Sequence, residues 1–124
     1  MRTILIVEDN DKNMKLARDI LQAKGYATLE AVTGEDGVRL ALEQKPDLVL
    51  MDIQLPDING IEAFTRIRAN AETAATPIVA FTASVTANDR NRITGAGFNA
   101  FIGKPINLKE FVETVRKTLE GGSP

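Results

Sequence analysis

Apolar residues in this chain gather in short runs, separated by longer stretches in which they recur every three or four positions. The runs Thr3–Val7, Thr28–Val32, Asp47–Met51, Pro77–Phe81 and Ala100–Gly103 have strand length, and several are rich in β-branched residues, so the pattern predicts five strands. The intervening stretches read as helices. The first, Lys12–Lys24, carries Leu16, Ile20 and the row Met14, Ala17 and Leu21, and it stops at Gly25, a residue suited to a left-handed C-cap. Thr33, with Asp36 three positions on, starts the second; Val38, Ala41 and Leu42 form its apolar face. Lys45-Pro46 ends it, because a residue preceding proline is pushed out of the helical region. The third, Ile61–Ala69, presents Ile61, Phe64 and Ile67. The fourth, Ala87–Thr94, has Ile93 as its one large apolar residue, which predicts a small packing gain and the most mobile helix. The fifth follows Asn107 as N-cap, with Glu110 three positions on and Leu108, Phe111, Val112, Val115 and Leu119 at helical spacing.

Strict alternation of strand and helix predicts an α/β fold with a parallel sheet, because right-handed crossovers lay successive helices against its two faces. At 124 residues there is length for one core, which assigns residues 1–120 to a single domain and leaves 121–124, Gly-Gly-Ser-Pro, as a flexible tail. Composition narrows the function. With 44% hydrophobic and 26% charged residues the chain has a globular balance, and a net charge of −2 lacks the basic footprint of direct nucleic-acid binding. Neither cysteine nor histidine is present, which removes disulfides, zinc sites of the usual ligands and every histidine-dependent mechanism. The apolar runs are far too short for a membrane span or a secretory signal, so no membrane insertion and a cytoplasmic location are expected.

In an open parallel sheet the ligand crevice lies beyond the carboxyl ends of the strands, where the winding reverses. The residues reaching that edge are Glu8 and Asp9 after the first strand, Asp52 after the third, Thr82 after the fourth, and Lys104 followed by Pro105 after the fifth. Taken singly each has an ordinary explanation: a carboxylate as turn former, Thr82 bonded to its own backbone, Lys104 as a solvated ammonium, Pro105 as a strand terminator. Co-location changes that, since no other titratable cluster competes. If the first and third strands are neighbours, Asp9 and Asp52 converge, and a hard divalent cation relieves their repulsion. Oxygen-only donors suit Mg²⁺ or Mn²⁺, with Asp9 and Asp52 ligating directly, Glu8 through water and the Gln54 carbonyl completing the protein's share. An Asp carboxylate is also a nucleophile for phosphoryl groups, and in-line transfer asks for positioning and charge neutralisation more than acid–base help. Lys104 and Thr82 supply an ammonium and a hydroxyl, and Ala83 is small enough to leave a path for the donor.

The segments Ile4-Leu5-Ile6-Val7-Glu8-Asp9-Asn10, Leu48 to Pro56, Phe81-Thr82-Ala83 and Phe101-Ile102-Gly103-Lys104-Pro105 resemble the response-regulator receiver domain over essentially the whole chain. That resemblance implies a flavodoxin-like (βα)5 fold of strand order 2-1-3-4-5. It implies Asp52 as phosphoacceptor, Glu8 and Asp9 as the acidic Mg²⁺ pair, Thr82 as the hydroxyl that follows the phosphoryl group, and Lys104 as its charge partner. It further implies a cis Lys104–Pro105 peptide and Phe101 as a switch aromatic that turns inward as Thr82 moves. Gln54 and Ser84 would flank the phosphoryl group and influence its lifetime. Output is expected on the face of helix four, strand five and helix five. With no histidine in the chain, a phosphohistidine donor belongs to another protein, a histidine kinase or histidine phosphotransfer protein; a downstream protein is the target. The expected state is a monomer that pairs, if at all, on phosphorylation.

Two other functions share part of this pattern. A haloacid-dehalogenase-type phosphatase needs a second Asp two positions after the nucleophile, where this chain has Gln54, so the expectation is a signalling phosphoacceptor and not a turnover enzyme. A flavodoxin-like nucleotide module wants a Gly- or Ser/Thr-rich loop after the first strand, where Glu8-Asp9-Asn10-Asp11 is acidic. Within the receiver reading, the stretch Glu8–Leu16 and the run Met51–Pro56 look most like stand-alone regulators of the DivK type; a receiver excised from a hybrid kinase is the alternative.

Overall fold

A computed structural model describes residues 2–83 and 87–120, with side chains at all of these except 87–90 and 94. Five parallel strands, β1 (Thr3–Val7), β2 (Ala27–Ala31), β3 (Leu48–Asp52), β4 (Ile78–Thr82) and β5 (Ala100–Gly103), form one sheet in the order β2-β1-β3-β4-β5. Helices α1 (Asp11–Ala23), α2 (Gly34–Gln44), α3 (Gly60–Ala69), α4 (Ala87–Ala96) and α5 (Leu108–Leu119) connect and cover it. The predicted α/β fold and strand order are both present. The expected tail at 121–124 lies outside the described residues.

Side chains alternate along a strand, so each strand feeds two cores. Leu5 and Val7, Val49 and Met51, and Ile78 and Ala80 point to one face, where they pack with Ala41 of α2, Ala63, Phe64 and Ile67 of α3, and Ile93 of α4. Ile4 and Ile6, Leu48 and Leu50, and Val79 and Phe81 point to the other, against Met14, Ala17 and Leu21 of α1 and Phe111 and Val115 of α5. Two apolar residues of the predicted helix faces turn outward instead: Leu16 and Leu108 are exposed, because the stripes are set by Met14, Ala17 and Leu21 and by Phe111 and Val115.

Local chemistry sets the helix ends. Asn10, Thr33, Asn59 and Asn107 each accept a hydrogen bond on the side chain from the third residue beyond, satisfying an amide that has no intrahelical partner. Gly25 adopts φ 90° just past α1, a left-handed conformation that glycine takes without a Cβ penalty. Lys45 is itself left-handed at φ 47° and closes α2 before the buried Pro46. Three strands are displaced by one residue from the sequence pattern. The β2 ladder starts at Ala27 and leaves Val32 exposed, while β3 and β4 run on to Asp52 and Thr82 because these pair with Phe81 and Gly103. Helix α4 continues past Thr94 to Ala96 and ends at Gly97, whose φ is 106°. Among the described residues no helix is long and apolar enough to cross a membrane.

Candidate functional site

The order β2-β1-β3-β4-β5 puts the reversal of winding between β1 and β3, and the carboxyl ends of these two strands deliver Glu8, Asp9 and Asp52 to one spot. One carboxylate oxygen from each of the three lies within 4.8 Å of the others. Glu8 and Asp52 are buried, at 0% and 3% exposure, whereas Asp9 is exposed at the rim. Convergence of the three acids is as the sequence predicts.

Lys104 reaches in from the end of β5. Its Nζ donates to Asp52 Oδ2 at 3.1 Å and lies 2.7 Å from Glu8 Oε1. It also sits 4.7 Å from the centre of the Phe81 ring, a cation over an aromatic face. Glu8 Oε2 accepts the Asn10 N–H at 2.9 Å, and Asp52 Oδ1 accepts the Gln54 N–H at 3.0 Å. Glu8 Oε1 has Lys104 as an ion-pair partner but no donor aligned on it as a hydrogen bond. Burial raises the proton affinity of Glu8, an effect larger than the opposing influence of Lys104 and the Asn10 amide; Asp52 adds to the rise. For Lys104, burial pulls down, but Glu8 and Asp52 together outweigh it and the net direction is upward. The ammonium therefore stays charged, and it is the one cation set among these acids in the described residues.

These observations fit a divalent cation. A set of oxygen donors, three acids too close for mutual comfort and a buried carboxylate oxygen with no aligned donor together make a hard-cation site. Thr82 ends β4 beside β3: Asp52 pairs with Phe81, and the Lys104 N–H bonds the Thr82 carbonyl at 2.9 Å. Thr82 and Gln54 line a cavity of about 370 Å³ together with Leu55, Asn59, Arg92 and Ile93. Ala83 is exposed just after β4, Pro105 follows Lys104 in a cis peptide as the resemblance implies, and Phe101 is half-buried on β5. Ser84 lies outside the described residues.

One contributor escaped the sequence reading. A Cβ on Gly60 would collide with the Asp52 carbonyl oxygen and approach Ile53 Cα to 2.8 Å, so the first residue of α3 passes directly under the end of β3. The Asn59-Gly60-Ile61-Glu62 pattern, an N-cap with Glu three positions on, was the available signal for that helix start.

Residues 4–116 match the response regulator receiver domain, and the chain belongs to that family. It is 42% identical over 118 residues to the polar-differentiation response regulator DivK of Brucella anthropi, covering 95% of this chain and 96% of that one. Among solved structures, the receiver domain of the sensor histidine kinase PA1611 from Pseudomonas aeruginosa is 33% identical, with a TM-score of 0.88 over 97% of this chain and 98% of that one. That structure holds a magnesium ion coordinated in its active-site cleft. A CheY-like receiver from Methanospirillum hungatei is 25% identical, with a TM-score of 0.88 over 98% and 96% of the two chains. The protein is thus a receiver of two-component signalling, the class of domain that acts as phosphoacceptor.

Proposed function

We propose that this receiver takes a phosphoryl group from a phosphohistidine of another protein onto the Asp52 carboxylate. The observation that carries the reading is the burial of Asp52 at the end of a central strand, with Lys104 at 3.1 Å and the oxygens of Glu8 and Asp9 within 4.8 Å. In the transfer, the N–P bond of the donor breaks, an O–P bond to Asp52 forms, and the imidazole leaves as a neutral ring once protonated. Asp9, Asp52 and the Gln54 carbonyl would hold Mg²⁺, with Glu8 acting through water. Bound there, the ion supplies positive charge against the incoming phosphoryl oxygens. Lys104 pairs with the phosphoryl group, and Thr82 donates its hydroxyl to it.

Gln54 carries no carboxylate, so the site lacks the acid that a turnover phosphatase places there, and the protein captures one phosphoryl group and loses it slowly. Gln54, Ala83, Ser84 and Pro105 set access to the phosphoryl group and its lifetime. Movement of Thr82 and Phe101 passes the state to the α4–β5–α5 face, where a downstream protein reads it. The partners are a histidine kinase or histidine phosphotransfer protein on one side and that target on the other, in the cytoplasm. Residues 1–120 form the working domain, monomeric until phosphorylated, in the manner of a stand-alone DivK-type regulator.

Intact mass after acetyl phosphate treatment tests the reading. Wild type with Mg²⁺ gains one phosphoryl group, wild type with chelator gains none, and Asp52→Asn gains none under either condition. Full labelling of Asp52→Asn would place the acceptor elsewhere.

A further inference from the structure

The connection between β3 and α3, residues 53–59, supplies the Gln54 carbonyl, and it passes over the N-terminus of α2. There Asp57 Oδ1 accepts the Gly34 N–H at 2.8 Å and Oδ2 accepts the Glu35 N–H at 2.8 Å. Gly34 and Glu35 open α2, and their amides have no partner within the helix. Thr33 separately caps the Asp36 N–H at 3.1 Å, so Asp57 completes the capping of a helix that begins 23 residues earlier in the chain. A carboxylate at this end of a helix is also favoured by the backbone dipoles. The carboxyl group is held below the usual Asp range: what desolvation it suffers pushes it up, but the Glu35, Gly34 and Ile58 amides outweigh that.

Two further contacts fasten the same loop. The Ile58 side chain occupies the notch left by the missing Cβ of Gly34, where an added carbon would collide with Ile58 Cγ1. At the far end the Gly60 N–H bonds the Ile53 carbonyl at 2.8 Å, closing the loop beneath Asp52. Gln54 itself is exposed, so its place is set by these anchors and by its N–H bond to Asp52 Oδ1, and not by packing of its side chain.

We infer that Asp57 is a positioning residue for the cation site: by clamping the loop onto the start of α2, it holds the Gln54 carbonyl where a divalent ion needs it. This rests on the reading of that carbonyl as a ligand. A bare helix cap makes a different forecast, since losing it lowers stability and leaves ion binding alone. Asp47 supplies the comparison. Its Oδ2 accepts the Thr3 N–H at 2.7 Å at the amino end of the sheet, opposite the site.

The experiment is calorimetric titration of the full chain with Mg²⁺ for wild type, Asp57→Ala, Asp57→Asn and Asp47→Ala, alongside thermal melts and amide hydrogen exchange in chelator. Asp57→Ala is expected to weaken Mg²⁺ binding about tenfold, the lower end of what outer supports of a metal site contribute. Asp57→Asn keeps one acceptor oxygen and falls between; it decides alone if the alanine variant does not fold. Asp47→Ala melts earlier and binds Mg²⁺ as wild type does. In chelator, amides 34–35, 53–55 and 57–58 exchange faster in Asp57→Ala, by a smaller factor in Asp57→Asn, and as in wild type in Asp47→Ala. Wild-type affinity in both Asp57 variants, or losses in all variants that follow melting temperature, overturns the role of Asp57. A wild type that takes up no Mg²⁺ overturns the metal reading instead, and the exchange data then still report whether the clamp exists.

Discussion

A carboxylate with no exposed surface persists only if something compensates its charge. Glu8 has Lys104 at 2.7 Å and the Asn10 amide at 2.9 Å, set against burial and the neighbouring Asp52. Burial dominates, so its proton affinity in the folded protein lies above that in the unfolded chain. A group raised in this way contributes stability that is complete below the unfolded value and is lost as pH rises through the folded one. Metal-free protein should therefore lose stability from Glu8 as pH climbs out of the ordinary carboxylate range, and Glu8→Gln should flatten that segment. Urea unfolding in chelator at stepped pH checks it; an equal slope in the variant would mean that Lys104 neutralises Glu8 completely. Lys104→Met makes the complementary case. It strands a buried acid and should cost about 3 kcal/mol at neutral pH, with much of the loss recovered in acid or on adding Mg²⁺. The five polar residues at the strand ends were legible because each short apolar run gives way to polar residues where its strand stops. The direct reach of Lys104 to Glu8 was not, since strand position fixes where a long side chain starts and says nothing of where its ammonium settles.

At the scale of elements, every strand and helix was readable, and the errors are of one or two residues at the ends. They fall where tertiary partners extend a ladder, as Phe81 and Gly103 do for Asp52 and Thr82, or where an Asn side chain starts a helix one residue ahead of its apolar pattern, as at Asn10 and Asn59. The glycines show what periodicity cannot convey, which is how close two backbones pass. Gly60→Ala would drive a carbon into the Asp52 carbonyl, a backbone atom with no room to yield, and is expected to cost about 3 kcal/mol and to depress phosphoryl uptake. Gly95→Ala is the opposite case: the residue lies within α4 with nothing within 4 Å of an added Cβ, so the gain in helix propensity should stabilise by about 0.5–1 kcal/mol. Urea unfolding of the two variants distinguishes them, and a destabilised Gly95→Ala would show that α4 is not a regular helix in solution. Among the described side chains of α4 only Ile93 is buried, at 2% exposure, and Phe98 just beyond the helix packs on Phe64 at 4.3 Å between ring centres. Ile93 is thus the buried anchor among the described side chains of this element, and added helix propensity there should show as slower amide exchange across α4.

For the whole molecule, the question is whether one phosphoryl group on Asp52 would be enough to change a surface two strands away. It brings about −1.5 to −2 charges and three acceptor oxygens. One to three charge-assisted hydrogen bonds at about 1.5–3 kcal/mol each, made in one conformation and not the other, would shift a two-state equilibrium about tenfold at the least and more than a hundredfold with two or three bonds. The route for such a bias is short. Thr82 closes β4, its carbonyl accepts the Lys104 amide at 2.9 Å, and the β4–β5 ladder pairs Ala80 with Phe101, which lines a groove of about 420 Å³ against α5. A hydroxyl drawn towards Asp52 would therefore pull on the strand that carries Phe101, next to α4, whose buried residue among its described side chains is Ile93. Amide chemical shifts of the phosphorylated protein should move in α4, β5 and the facing side of α5 as well as around Asp52. In Thr82→Ala the distant set should shrink with phosphoryl incorporation largely intact. Shifts confined to the loops around Asp52 in wild type would break the link between capture and output, because the charge would then be absorbed locally by Lys104 and the cation without favouring either arrangement of β5.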